Sequence, residues 1–236
     1  MTIIKICGLT NLEDARCAAD AGADMLGLIF YEKSARHVTV EQAAAIVTAL
    51  QSTLIRPLPR FVGVFVNEPL AGVRAAIEAV GLDLVQLHGD ESFDQVRALG
   101  EQAYKAIRPE TMMQARAQAQ VYARVGHRRP ENPDLLVDAY HPQRYGGTGR
   151  TADLSLARDL SRRYRLLLAG GLTPETVGDA VSQVRPWGVD VSSGVEQKKG
   201  IKDHDRVRAF IQAVQESDRQ LHQAAGQVPV REIAQG

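Results

Sequence analysis

The sequence has few cysteines, few aromatic residues and no surplus of charge of either sign. Cys7 and Cys17 are its only cysteines, which is a poor basis for a disulfide framework or a structural zinc site. Aromatic residues make up 5% of the chain, and Lys plus Arg balances Asp plus Glu at 28 each. A nucleic-acid-binding protein would need a basic stripe or an aromatic platform, so we expect no nucleic-acid partner.

Long apolar runs are also missing. No stretch approaches the roughly 20 apolar residues that are needed to cross a bilayer. The N-terminal segment MTIIKICG lacks the charged region and the apolar region of a signal peptide. We therefore expect a soluble, cytoplasmic protein with reduced thiols and no membrane partner.

What the chain does contain is a repeated alternation of two patterns. Segments with apolar residues at helical spacing follow short β-branched or apolar runs. The runs lie at 3–7, 24–30, 60–66, 82–87, 103–107, 134–139, 165–170 and 188–194. Eight strand–helix units predict a single α/β domain that closes into a (β/α)8 barrel, and a doubly wound open sheet is the structural alternative.

Several local signals set expectations for the domain limits. We place the catalytic barrel at residues 1–216 and predict a polar C-terminal extension at 217–236 that is peripheral and could fray. The polar segment 124–134 is predicted to be a surface loop. Thr173, which precedes Pro174, is predicted to be a helix N-cap.

Two reactive side chains end predicted strands. In (β/α)8 enzymes the active site lies at the C-terminal ends of the strands. Cys7 ends the first strand and Asp138 ends the sixth. A free cysteine is often only a small buried hydrophobic residue, and this is our interpretation of Cys17. An aspartate is often a helix cap, but HPQRYGGTG rather than a helix start follows Asp138, which therefore remains a candidate.

Three glycine-rich stretches follow the late strands and predict a phosphate site. They lie at 146–149, 169–171 and 192–194. Glycines let backbone N–H groups approach an anion closely, and the loops after strands seven and eight form the recurring phosphate site of these barrels. Each stretch alone could be an ordinary turn, but together they favour a substrate that carries a phosphate.

Polar side chains near other strand ends complete the candidate site. Arg36, after strand two, could hold a carboxylate with two hydrogen bonds. Gln86 and His88 close strand four, and a structural role is favoured for His88 over a role as a base. Lys5 shares the inward face of strand one with Cys7, where it could stabilise a thiolate or pair with an interior carboxylate instead.

These residues fall in ordered blocks that resemble the phosphoribosylanthranilate isomerase family, (β/α)8 enzymes of tryptophan biosynthesis. The resemblance spans residues 3–214 and excludes the 124–134 loop and the tail. Its carriers are KICGLT (5–10), GLIFYEKSARHV (27–38), GVFVN (63–67), VQLHGDE (85–91), LLVDA (135–139), GGTG (146–149), LAGGLTPETV (168–177), GVDVSSGVE (188–196) and KGIKD (199–203).

The resemblance implies an Amadori rearrangement, the third step from chorismate to tryptophan. N-(5-phosphoribosyl)anthranilate becomes 1-(2-carboxyphenylamino)-1-deoxyribulose 5-phosphate, with Cys7 as general base, Asp138 as general acid and Arg36 on the anthranilate carboxylate. An iminium nitrogen is the electron sink, so neither a metal nor an organic cofactor is expected. The other expected substrate contacts are Gln86, Gly147, Gly170, Gly171, Asp190, Ser192, Ser193 and Gly194.

The two catalytic roles require opposite conditions. A thiol with a pKa near 8.5 is mostly protonated at neutral pH, so a base role for Cys7 needs nearby donors or positive charge. A role as acid for Asp138 needs a pKa above the ordinary value of about 3.9, which partial desolvation would supply.

Other interpretations of the sequence stay open. The histidine-pathway sugar isomerase catalyses an Amadori rearrangement on the same barrel but typically has aspartate at the position of Cys7, and a bifunctional enzyme is conceivable. A non-catalytic phosphosugar-binding protein could have kept the glycine loops. Barrel helices can be solvated or paired, so the sequence allows a monomer or a homodimer.

Overall fold

The computed structural model describes residues 1–53, 57–123, 129–138 and 154–226. Within them eight parallel strands form a closed barrel, in which each strand pairs with its neighbours in the chain and β8 pairs with β1. The barrel confirms the predicted fold, and the doubly wound alternative is wrong. The strands are β1 (Ile3–Cys7), β2 (Met25–Ile29), β3 (Arg60–Phe65), β4 (Leu84–Leu87), β5 (Ala103–Ile107), β6 (Leu135–Asp138), β7 (Leu166–Ala169) and β8 (Gly188–Val191).

Helices cover the outside of the barrel. They are α1 (Leu12–Asp20), α2 (Val40–Thr53), α3 (Leu70–Val80), α4 (Phe93–Leu99), α5 (Met112–Tyr122), α6 (Leu154–Ser161), α7 (Val177–Val184) and α8 (His204–Gly226). Local sequence sets several of their starts: Asn11 caps α1, and Ser92 and Gln95 form a capping box on α4. Between β8 and α8 lie a 3-10 turn, Ser193–Val195, and the short antiparallel pair β9 (Glu196–Lys198) and β10 (Ile201–Lys202).

The apolar core has two parts that the closed sheet separates. The larger part lies between the strands and the surrounding helices. The smaller part fills the barrel interior and consists of Met25, Val62, Leu84, Tyr104, Ala106, Leu136, Leu167 and Ala169. Because both faces of each strand are buried, the strands are nearly continuous apolar runs, as the sequence shows.

The last helix extends beyond the expected domain limit of residue 216. α8 continues to Gly226, and Ser217 and Asp218 are buried rather than peripheral. The Asp218 carboxylate accepts hydrogen bonds from the backbone N–H and the hydroxyl of Thr2, and the Ser217 hydroxyl donates to the carbonyl of Gly178. These contacts attach the helix to the start of β1, so Ser217 and Asp218 pack against the barrel. Residues 227–236 lie outside the described residues.

The predicted start of the helix after β7 was wrong by three residues. Thr173 lies in a turn, and Thr176 is the residue that precedes α7. The Thr173 carbonyl accepts from the backbone N–H groups of Thr176 and Val177, while the Thr173 N–H donates to the Thr176 hydroxyl. Pro174 therefore lies in this turn and not in the helix. The loop between β7 and α7 is therefore three residues longer than predicted.

Two other predicted segments fall partly or wholly outside the described residues. Residues 124–128 of the predicted surface loop and the stretch 146–149 lie outside the described residues. Across the described ranges, no helix combines the length and the apolar character needed to span a bilayer.

A buried ion pair braces the loops at the catalytic ends of β4 and β5. Lys105 Nζ lies 3.2 Å from Glu91 Oε2, and both side chains are at most 5% exposed. The same ammonium donates to the carbonyls of Leu87 and Gly89, and Glu91 accepts from the backbone N–H groups of Asn67 and Gly89. Every charge in the cluster is therefore hydrogen-bonded.

Replacing Glu91 with glutamine should destabilise the protein by about 3 kcal/mol, because it leaves the buried Lys105 ammonium without a counter-charge. Urea unfolding followed by circular dichroism measures the loss. The matched control is Glu216→Gln, which breaks an exposed pair with Arg219 and should cost less than about 1 kcal/mol. Equal stabilities of the two variants would contradict the prediction.

Candidate active site

A series of polar side chains points into the barrel from alternate positions of its strands. Side chains of a strand point inward at every second residue. The inward series of β1 contains Lys5 and Cys7, that of β4 reaches Gln86, and that of β8 contains Asp190, followed by Ser192. All except Lys5 line a cavity of about 700 Å³ at the C-terminal ends of the strands.

The cavity brings together the described members of the predicted site. Gly147 lies outside the described residues, and its predicted role remains untested. The predicted residues that line the cavity are Cys7, Arg36, Gln86, Asp138, Gly170, Gly171, Asp190, Ser192, Ser193 and Gly194.

Cys7 presents a buried thiol to this cavity. Gly27 on β2 makes room for it, because a Cβ at Gly27 would lie 2.7 Å from Cys7 Sγ. Burial raises the pKa of the Cys7 thiol above its ordinary value, and the negative charge of Asp190 adds to this effect. The positive charges of Lys5 and Lys202 act in the opposite direction. The Cys7 thiol is therefore mostly protonated at neutral pH.

Lys5 is paired with an interior carboxylate, one of the two expectations for this residue. Its ammonium lies 2.8 Å from Asp190 Oδ1 and donates to Gln86 Oε1 at 2.8 Å. Tyr104 donates to the same Gln86 oxygen at 3.0 Å. Burial by itself would lower the pKa of Lys5, but the Asp190 carboxylate, with smaller contributions from Cys7 and Tyr104, outweighs burial and the pKa is raised. Lys5 is thus a permanent positive charge directly beneath the thiol.

Asp138 ends β6 and lies beside a histidine. Its Oδ2 atom is 4.0 Å from His88 Nε2, and about a quarter of its side chain is exposed to the cavity. The His88 Nδ1 atom is 2.6 Å from Gln86 Nε2. Arg108 donates to the His88 carbonyl and also lines the cavity.

Arg36 is held by a carboxylate far away in the sequence. Its Nε and Nη2 atoms donate to the two oxygens of Glu196, at 2.6 and 2.7 Å. Glu196 also accepts from Lys202 Nζ at 3.2 Å and from the backbone N–H of Gly200. Because Glu196 occupies the Nε–Nη2 edge, the guanidinium can offer its Nη1–Nη2 edge to a ligand carboxylate.

The glycine loops after β7 and β8 expose backbone at the same cavity. Gly170 and Gly171 have φ of 103° and 68°, a conformation that favours glycine. A Cβ at Gly194 would collide with the Leu172 carbonyl, so the two loops approach each other as closely as backbone allows. The buried Ser192 hydroxyl has no partner among the described residues. Such a surface can bind an anion that supplies acceptors for free donors.

Sequence reasoning missed several cavity and supporting residues. It favoured a structural role for His88 and assigned none to Glu196, Lys202 or Arg108. Glu196 and Lys202 lie in the blocks GVDVSSGVE and KGIKD, whose family resemblance was the available signal. No local pattern indicates that Glu196 contacts Arg36, because the two residues are 160 positions apart.

The described residues contain no group of three or more His, Cys, Asp and Glu side chains that could hold a metal ion. The donors around the cavity are a thiol, a carboxyl group, amide and guanidinium groups and backbone N–H groups, which suit proton transfer and anion binding. Fold and cavity together define a (β/α)8-barrel enzyme whose cavity, at the C-terminal ends of the strands, is lined by a thiol and a carboxyl group.

Comparisons with known proteins specify the class. The sequence model of the N-(5'-phosphoribosyl)anthranilate (PRA) isomerase family matches residues 4–213. The N-(5'-phosphoribosyl)anthranilate isomerase of Roseiflexus castenholzii is 47% identical over 226 residues, which cover 92% of this chain and 100% of the relative. The chain belongs to this family.

Solved structures agree with the sequence comparison. The crystal structure of phosphoribosyl anthranilate isomerase from Thermotoga maritima is similar with a TM-score of 0.79 and 39% identity, covering 92% of this chain and 100% of that one. A phosphoribosyl anthranilate isomerase in complex with reduced 1-(o-carboxyphenylamino)-1-deoxyribulose 5-phosphate is similar with a TM-score of 0.76 and 36% identity, over 92% and 100% of the two chains.

Proposed function

We propose that this protein converts N-(5-phosphoribosyl)anthranilate to 1-(2-carboxyphenylamino)-1-deoxyribulose 5-phosphate, with Asp138 as general acid and Cys7 as general base. Membership of the family assigns it to the isomerases and to tryptophan biosynthesis. The observation that carries the assignment of residues is that Cys7 and Asp138 line one cavity together with Arg36 and the two glycine loops.

The acid step comes first. Asp138 donates its proton to the furanose ring oxygen, the bond between that oxygen and C1 breaks, and the anthranilate nitrogen becomes a positive iminium. Asp138 is suited to this role because it ends β6 at the cavity and remains partly open to it. General acid catalysis of this kind contributes about 100- to 10,000-fold to a rate.

The base step follows in the presence of a new positive charge. Cys7 removes the C2 proton, and the electron pair of the broken C2–H bond moves toward the iminium nitrogen. The resulting enolamine tautomerises to the ketone. Burial raises the pKa of the thiol. The iminium charge, added to that of Lys5, favours the thiolate at the step that needs it.

The substrate's anionic ends would be held by separate groups. Arg36, fixed by Glu196, takes the anthranilate carboxylate through its free edge. The backbone around Gly170, Gly171, Ser193 and Gly194 and the hydroxyl of Ser192 take the sugar phosphate, for which they supply donors and close approach. Two anchors at the ends of the substrate leave its reacting carbons between Cys7 and Asp138.

The reaction can be tested directly. N-(5-phosphoribosyl)anthranilate is generated in situ from anthranilate and 5-phosphoribosyl diphosphate by a phosphoribosyltransferase, and the loss of substrate fluorescence is followed after the protein is added. We expect acceleration at catalytic amounts of protein. No acceleration at micromolar protein would overturn the assignment. A Cys7→Ala, Asp138→Asn double variant, purified identically from a host without its own isomerase, controls for contamination.

Removing the guanidinium of Arg36 should weaken substrate binding more than turnover. Arg36→Met is expected to raise KM about 10- to 100-fold, the value of a charge-assisted hydrogen bond, with kcat changed by less than about fivefold. Arg36→Lys keeps the charge but loses the planar pair of donors, so it should recover only part of the loss. Steady-state kinetics give both constants. A fall in kcat with an unchanged KM would show that Arg36 does not anchor the substrate.

We further propose a cytoplasmic location, consistent with two free, buried thiols.

A further inference from the structure

A chain of polar contacts leads from the barrel interior to the carboxyl group of Asp138. Lys5 Nζ donates to Gln86 Oε1 at 2.8 Å, and Gln86 Nε2 is 2.6 Å from His88 Nδ1. On the other side of the ring, His88 Nε2 lies 4.0 Å from Asp138 Oδ2. The mechanism above uses Asp138 and leaves His88 without a role.

The chemistry of the chain decides which way the Gln86 amide faces. An ammonium group has three donors and no acceptor, so the Gln86 atom that contacts Lys5 must be the oxygen. Tyr104 also donates to this oxygen, at 3.0 Å. The amide nitrogen, which can only donate, therefore faces His88.

The orientation of the amide in turn fixes the tautomer of His88. Nδ1 receives the hydrogen bond from Gln86, so Nδ1 carries no proton and the proton of the neutral ring is on Nε2. This N–H points toward Asp138. Burial, together with the positive charges of Arg108, Lys5 and Lys105, lowers the pKa of His88 to about 3. The ring is neutral at working pH, so it can donate a hydrogen bond but does not act as an imidazolium acid.

We propose that His88 is a positioning residue for Asp138: its Nε2–H donates to Asp138 Oδ2 in the loaded site and directs the acidic proton on the other oxygen toward the substrate's ring oxygen. When that proton has left, the same donor stabilises the new carboxylate. The 4.0 Å separation shortens to a hydrogen bond when the substrate packs against Asp138, since catalytic hydrogen bonds are often long before substrate binds. This inference rests on the proposed role of Asp138 as acid.

Two substitutions separate positioning from a structural role. In His88→Gln the amide nitrogen occupies the place of Nε2 and keeps a donor toward Asp138. In His88→Asn the amide reaches only the place of Nδ1, which keeps the contact with Gln86 but removes that donor. If His88 has only a structural role, His88→Asn should be the more active of the two variants. If His88 positions Asp138, His88→Gln should be the more active one.

The kinetic expectation follows from the lost donor. His88→Asn should lower kcat about 10- to 100-fold with KM within about twofold of the original, because the donor acts in the transition state. His88→Gln should recover kcat to within about fivefold of the original. His222→Asn, on the exposed part of α8, is the control and should leave both constants unchanged. An unaltered kcat in His88→Asn, or a glutamine variant no better than the asparagine variant, would overturn the proposal.

A second measurement does not depend on activity. In protein labelled with ¹⁵N-histidine, NMR should assign the proton of His88 to Nε2 and find no imidazolium form between about pH 5 and pH 9. A proton on Nδ1 would overturn the proposal. Asp138→Asn is assayed beside the His88 variants: if it loses activity and His88→Asn does not, positioning fails and the general acid stands. If Asp138→Asn keeps full activity, the general acid fails and the positioning role fails with it.

Discussion

Cys7→Ala is expected to lower kcat by about 100- to 10,000-fold, because the variant lacks the thiol that removes the C2 proton in the proposed mechanism. Alanine also removes little volume from the site, so KM and the free energy of unfolding should change far less than kcat. Steady-state kinetics with substrate generated in situ measure the loss. A variant with near-normal turnover would remove the thiol from the mechanism.

The chain offers a matched control for this substitution. Cys17→Ala changes the other free cysteine, which lies in α1, outside the residues that line the cavity. Its activity should equal that of the original protein. Comparable losses in the two variants would point to a general effect of removing a thiol rather than to a base at residue 7.

The pH dependence provides a further check on Cys7. A base must be deprotonated to act, and burial raises the pKa of this thiol. At neutral pH the thiolate is therefore the minor form in the free enzyme. In a Cys17→Ala background, the rate at which iodoacetamide alkylates Cys7 should rise with pH, by about tenfold per unit at most, well into the alkaline range. An alkylation rate that has already reached its plateau between about pH 7 and pH 9 would contradict a raised pKa of this thiol.

Local pattern was enough to predict the barrel and the inward residues of its strands. The apolar runs at 3–7 and 103–107 coincide with β1 and β5, and the other strands fall within the predicted runs. Alternation then placed Lys5 and Cys7 on the same face. These properties depend only on neighbours in sequence, so a single sequence carries them.

Contacts between distant segments could not be predicted in this way. The pairing of Arg36 with Glu196, and the approach of His88 to Asp138, depend on how eight strands close and in which register. The continuation of α8 depends on Asp218 reaching Thr2, 216 residues away. Sequence patterns identify the residue types, but the three-dimensional structure decides their partners.

Asp138→Asn is expected to lower kcat about as much as Cys7→Ala, by 100- to 10,000-fold, since an amide has nearly the same shape but no acidic proton for the ring oxygen. The substitution separates ring opening from binding. The borohydride-reduced product has an open chain and needs no acid, so the variant should bind it with a Kd within about threefold of the original. Stopped assays give the turnover and isothermal titration calorimetry gives the Kd.

Comparison with Asp138→Ala tests whether the proton itself matters. If Asp138 acts by donating a proton, asparagine and alanine should lose kcat to a similar degree, because neither has an acidic proton to give. If its contribution were mainly shape or hydrogen bonding at the end of β6, asparagine would retain most of the activity and alanine would lose it. Retained turnover in Asp138→Asn would thus exclude the general acid, and a loss of reduced-product binding together with kcat would make Asp138 a binding residue instead.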